Sequence, residues 1–310
     1  MEILKSLSEC KSSNKVYAFF RDRAKDFGPV DIVKTQITPN KNTSKTESDT
    51  SYSFQLEPGE DKKKCLERIF KIDLSKIDKK IDHRITTIHS SALAALLCFH
   101  NISVNNPLSI NINGKTYAFV KAEIEYPNKC MEKGGRSRID VALFSEDEKV
   151  VLFMEAKFSE YLSSVCKEIS SQYKEEQLFR KPNILPCNLA FTGLDDETPL
   201  KIKSKQRGRG RYREGIKQML CHYIGATHYI KNNPQKEKVL IGTLLFDFGE
   251  MFKAEFDDYQ TMYKELAVKL NSLQEKRIEL LSEVITYQKL FHYESNSRVL
   301  DKKVKDFYQL

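Results

Sequence analysis

The sequence predicts an α/β fold in which a mixed sheet is flanked by helices. Three observations carry that reading. Residues 138–144 and 150–157 are two apolar runs of strand length separated by a charged turn, and both of their faces are covered. Val239 to Phe246 is a further unbroken apolar run, as an interior strand requires. Between and around these runs, apolar residues recur at helical spacing.

Along the chain, the segment 1–79 is expected to be helical and polar, with a short helix around Val16 to Lys25. From Thr35 to Lys64 the composition turns to Thr, Ser, Asn and Lys and ends at Pro58-Gly59, which reads as a long loop. Leu66, Ile69, Phe70 and Ile72 suggest a second helix. Ser90 offers N-cap chemistry ahead of Ala92 to Leu97, so a buried helix starts there, with His89 as a helix-start residue. Asn113-Gly114 signals a tight turn. Beyond it, Tyr117 to Glu125 alternates and forms the first core strand.

The hairpin follows. If its turn centres on Asp147 and Glu148, opposed residues sum to 295, which sets Asp140 across from Glu155. Side chains alternate faces, so Glu155 and Lys157 project together while Ala156 points away. One face then carries Asp140, Glu155 and Lys157, and the other (Ile139, Val141, Leu143, Leu152, Met154, Ala156) is wholly apolar. Carboxylates at the end of a covered sheet are costly unless something neutralises them. A hard divalent cation does so: Mg²⁺, with Mn²⁺ as a substitute, binds carboxylate oxygens and keeps several waters. Asp140 and Glu155 are therefore candidate metal ligands, Glu125 or, behind it, Glu123 is a third acid at a neighbouring strand end unless both simply face water, and Lys157 positions a water or meets a phosphate. An ordinary Glu–Lys pair at a strand end is the plain alternative.

Gly134-Gly135-Arg136 makes a loop that lets Arg136 approach a ligand. Tyr161 to Phe179 reads as helix. An insert at 181–213 ends in a basic ribbon that includes Arg207, Arg209, Arg211 and Arg213, with glycines between. Such a ribbon can lie along phosphates without reading bases, and Lys217 continues it into the next helix. That helix, Ile216 to Ile230, puts Gln218 and His222 on one face, His222 being packed or phosphate-facing before it is a general base. In the segment 251–310, Tyr259 to Phe291 follows alternating steps of four and three, broken only by Arg277. A long amphipathic helix is expected, packed on the core or pairing with a second copy as a homodimer.

Asp140 with Glu155-Ala156-Lys157 on adjacent strands resembles the PD-(D/E)XK nuclease superfamily. More narrowly, H-S-S-A-L-A-A-L-L at 89–97, S-R-I-D-V at 137–141, E-A-K-F-S-E at 155–160 and G-I-K-Q-M-L-C-H at 215–222 resemble its bacterial restriction-endonuclease-like proteins. The likeness spans about residues 80–250. Ile139 stands where the family has proline. The resemblance implies a restriction-endonuclease-like αβββαβ core that cuts DNA with Mg²⁺, in restriction or host defence, where a partner methyltransferase is sometimes found. It also implies a site role for Gln218, although the related Q-x-x-x-Y pattern has His222 at its tyrosine position and Tyr223 one later. A repair or recombination nuclease acting on single-stranded or branched DNA uses the same groups, and a non-cleaving DNA-binding module on this fold needs only the basic insert.

Bulk properties agree with a polyanionic partner without requiring one. The 310 residues carry a formal net charge of +8 and are 40% hydrophobic and 30% charged. Seven cysteines show no C-x-x-C pattern, so neither a zinc site nor a disulfide framework is indicated. No apolar run reaches the ~20 residues of a membrane helix, and the expected location is cytoplasmic with no membrane contact.

Overall fold

The computed structural model describes residues 11–26, 32–36, 50–75, 77, 85–128, 137–158, 214–272, 276–292 and 294–310. Their architecture is α/β, a curled mixed sheet with helices against it. The helices are α1 (Lys11–Asp26), α2 (Lys62–Phe70), α3 (Ser91–Phe99), α4 (Glu214–Asn232), α5 (Lys253–Asn271), α6 (Tyr287–His292), α7 (Glu294–Ser297) and α8 (Lys302–Tyr308). The strands are β1 (Ile32–Gln36), β2 (Thr50–Phe54), β3 (Leu108–Ile112), β4 (Lys115–Asn128), β5 (Ser137–Ser145), β6 (Val150–Lys157), β7 (Lys238–Leu245), β8 (Ile278–Leu280) and β9 (Ile285–Thr286).

The main sheet runs β3-β4-β5-β6-β7-β8, with β9 also paired to β7. Its first half is an antiparallel meander. Asn113 and Gly114, both at positive φ (51° and 81°), close the β3–β4 hairpin in the conformation that a two-residue turn demands. Across β5 and β6 the pairs are Val141–Met154, Ala142–Phe153, Leu143–Leu152 and Phe144–Val151, the register expected from the charged turn. Asp147 sets that turn, its Oδ1 accepting from the Ser145 hydroxyl at 2.7 Å and the Lys149 N–H at 3.0 Å. The second half, β6-β7-β8, is parallel. A parallel step needs a crossover, and α4 lies on that crossover. The sheet curls until its ends approach: Asn113 beyond β3 donates to Glu279 on β8 at 2.7 Å.

Helix α3 starts as the sequence indicates, with Ser90 Oγ accepting the Ala92 N–H at 3.2 Å. Ala92 through Phe99 are all buried, the signature of a helix covered on every side. It packs on β4, β5 and β6, while Phe99 meets Tyr287 and Phe291 of α6. Helix α4 packs on the same strands and on β7, from the side of Glu155. Both faces of the hairpin are thus filled, which accounts for its apolar composition.

Two expectations need correction. The polar stretch 35–64 is not a continuous loop: β1 and β2 pair antiparallel from Ile32–Phe54 to Gln36–Thr50. The alternation that makes β2 a strand, Tyr52 and Phe54 toward the core, is only five residues long and is masked by its polar flanks. The long C-terminal helix is instead a helix that ends at Asn271, two short strands and three short helices. Asn271 Oδ1 accepts the Leu280 N–H and its Nδ2 donates to the Leu280 carbonyl, at 2.8 and 2.7 Å, turning the chain back into the sheet. Steps of three and four suit any segment buried on one side, so the seam pattern ran through strands as well. Tyr259, Tyr263, Leu266 and Leu270 are buried in this chain's own core, the first of the two arrangements expected for the seam.

Aromatic rings from all three sequence segments meet in the core. Phe20 of α1 stacks on Phe158 after β6 at 5.1 Å, and Phe307 of α8 meets Phe54 and Phe70. These rings belong to one continuous core. Asn296, 1% exposed, completes the outer edge of β3: its Oδ1 accepts the Ser109 N–H at 2.8 Å and its Nδ2 donates to the Ser109 carbonyl. No helix among the described residues is long and apolar enough to cross a membrane.

Candidate functional site

The site is built at the end of β6 where α4 crosses it. Glu155 is 2% exposed, and four-residue spacing on α4 aims two side chains at its carboxylate. Gln218 Nε2 donates to Oε1 and His222 Nε2 lies on Oε2, each at 2.5 Å. From β6 itself, two residues along on the same face, Lys157 Nζ reaches Oε1 at 2.6 Å. Burial alone pushes the Glu155 carboxyl up, but Lys157 and His222 outweigh it and hold the group at about 2. Glu155 is therefore a fixed, ionised carboxylate.

Asp140 stands at the facing strand end. The β5–β6 ladder stops at Val141–Met154, and the Ala156 N–H beyond it is taken by Asp140 Oδ2 at 2.8 Å. That bond orients the carboxylate. Burial, and then the nearby Glu155 charge, push the Asp140 carboxyl well above the usual carboxylate range, against the pull of Lys157. The two acids thus feel each other, and Lys157, paired with Glu155, also pulls Asp140 down. Glu125, on β4, adds a smaller upward push on the Asp140 carboxyl. Its φ of 55° breaks the strand's alternation, and its Oε2 lies 3.5 Å from the exposed Arg138 guanidinium. A non-glycine residue in that conformation carries strain of order 1 kcal/mol.

The structure therefore brings Asp140, Glu155, Lys157 and Gln218 together, with Glu125 alongside. Lys217 lies in α4. Arg136, Arg207, Arg209, Arg211 and Arg213 fall outside the described residues, as do the expected loop 129–136, the helix at 161–179 and the insert at 181–213. No family model, curated protein or solved structure matches this chain. His222 is the site member that sequence reasoning under-weighted. The signal was present, since His222 and Gln218 sit one turn apart on the face that must meet β6, but spacing alone does not say which buried group they address.

Among the described residues, no three His, Cys, Asp or Glu side chains form a ready-made metal cage. A hydrated hard cation would need only part of such a cage. Mg²⁺ is commonly held by one or two carboxylates, with water and substrate phosphate filling the rest. Asp140, raised by burial and then by the Glu155 charge, is the group that a divalent cation would return to its ionised form. Asp140 and Glu155 are the two carboxylates that could hold it; the Glu125 expected as a third acid forms no three-ligand group with them among the described residues.

Proposed function

We propose that this chain is a divalent-metal-dependent DNA endonuclease with a restriction-endonuclease-like αβββαβ core. The observation that carries the reading is Asp140 meeting the β6 end at Ala156, between Glu155 and Lys157 in the resembling motif. In this reading Asp140 and Glu155 hold Mg²⁺, with Mn²⁺ as a substitute, and Glu125 assists. When bound, the ion supplies Lewis-acid polarisation of a phosphoryl oxygen.

The chain's own residues do the positioning. His222 and Gln218 fix both oxygens of Glu155, so its carboxylate cannot rotate away. Lys157, 8% exposed, offers an ammonium to the phosphate or to the attacking water, and its burial magnifies that charge. The Ala156 N–H holds Asp140 on the opposite side. Basic side chains, Lys217 and the arginines of the insert with Arg136, would position the phosphate backbone.

A restriction or host-defence role, with or without a partner methyltransferase, follows from the resemblance. A repair or recombination role on single-stranded or branched DNA uses the same site. Incubating purified protein with plasmid, single-stranded and branched DNA, each with Mg²⁺, Mn²⁺ or EDTA, tests the reading. Metal-dependent cleavage lost in Asp140→Ala supports it. No cleavage of any substrate, or cleavage that survives Asp140→Ala, overturns it.

A further inference from the structure

A cavity of about 400 Å³ opens on the same side of the sheet as Glu155, between β4, the β5–β6 turn and the end of α4. Its wall is aromatic. Tyr126 stacks on Phe153 at 5.7 Å and 25°, and Tyr229 of α4 meets Phe153 edge-on at 5.3 Å. Phe144 closes the cluster against Tyr126. Phe153, buried behind these rings, precedes Glu155 by two residues on one face of β6, about 7 Å along the strand from the carboxylate. The positive φ at Glu125 is what brings the next ring, Tyr126, onto this wall.

The charges lining the cavity cancel. Lys121 pairs with Glu123 at 2.9 Å and Glu148 at 3.7 Å. Lys236, almost fully buried, holds the Glu148 carbonyl at 2.6 Å and its carboxylate at 3.4 Å. Both ammonium groups also lie over Phe144, at 5.0 and 5.9 Å from its centroid. A phosphate would find no net positive charge here. A flat, uncharged ligand would find π surface, and Asn232, Asn233 and Gln235 at the rim to hydrogen-bond its edges.

We propose that this cavity takes a nucleobase flanking the cleaved phosphodiester, stacked on the Tyr126 ring and met by Tyr229, whose ring stands at 78° to it. The proposal rests on the nuclease reading and narrows its substrate: a base inside a duplex cannot enter such a cavity, so the DNA is single-stranded there, branched, or opened by extrusion of one base. This favours the repair or recombination form of the activity.

The test is binding in EDTA, which separates it from cleavage. Fluorescence anisotropy is recorded for a short single strand, an abasic strand of equal length and the matching duplex. The single strand should bind roughly tenfold or more tighter than the abasic strand and tighter than the duplex. Tyr229→Ala should remove that preference, and Tyr229→Phe, which keeps the ring, should restore it. Equal affinity for intact and abasic strands, preference for the duplex, or no binding at all overturns the proposal, and because the abasic arm alters only the DNA, misfolding of a variant does not obscure it. Base-dependent binding without metal-dependent cutting would leave the cavity assignment standing and remove the nuclease reading; cutting with base-blind binding would do the reverse.

Discussion

His222 Nε2 sits 2.5 Å from Glu155 Oε2, joining α4 to β6 through two side chains that are each 2% exposed. With Gln218 on the other oxygen, the helix grips the carboxylate from both sides. His222→Leu removes a hydrogen bond to a buried charge, which costs about 1.5–3 kcal/mol. His222→Gln keeps a donor within reach and should retain much of that. If His222 positions Glu155, His222→Leu also weakens Mn²⁺ binding by calorimetry about tenfold, and His222→Gln recovers it. A stability loss with Mn²⁺ affinity intact would make His222 structural only.

Asp140→Asn is expected to stabilise the protein while abolishing cleavage. Burial and Glu155 disfavour the Asp140 charge, and an asparagine Oδ1 can still accept the Ala156 N–H. The gain is about 1 kcal/mol, read as a rise in melting temperature of about 2 °C or more without metal. A lower melting temperature would show that the Asp140 charge is satisfied rather than strained.

Lys157→Ala should end cleavage and also destabilise, by about 3–5 kcal/mol, because it strands a buried carboxylate. The pair Glu155→Gln with Lys157→Met removes both charges and should recover most of that stability while remaining inactive. Urea unfolding of the single and double variants measures the difference. Full cleavage by Lys157→Ala would remove the lysine from the chemistry.

The acid limb of stability carries the mark of Glu155. Its folded value, about 2, lies below the ordinary 4.5, so its contribution is present above pH 4.5 and is lost as pH falls through about 2. Between pH 5 and 2, wild type should lose stability more steeply than Glu155→Gln in urea titrations. Parallel curves would contradict the depressed value.

Where the sequence was informative, it was so because sterics left few choices. An apolar hairpin with a polar turn has one register that buries both faces, and that register sets Asp140 opposite Glu155. The i, i+4 pair Gln218 and His222 was equally visible on one helix face, but its partner was not, because contact between α4 and β6 depends on a crossover that periodicity does not describe. The C-terminal reading failed for a related reason. Leu280 and Tyr287 continue a seven-residue rhythm, yet the Asn271 side chain binds the Leu280 backbone, and a side-chain-to-backbone clasp of this kind has no periodic signature. The bend at Glu125 was hidden because nothing in an alternating strand announces a left-handed residue.

The Asn296 amide, engaged with both backbone groups of Ser109, stands in for one rung of a strand that the chain does not supply. A border strand with open donors and acceptors recruits any extended segment it meets, including another copy of itself. Here that rung is occupied from within, so edge-to-edge stacking starts at a disadvantage. Asn296→Leu would unseal it, and light scattering on warming should then report growing particles well before the parent protein forms any.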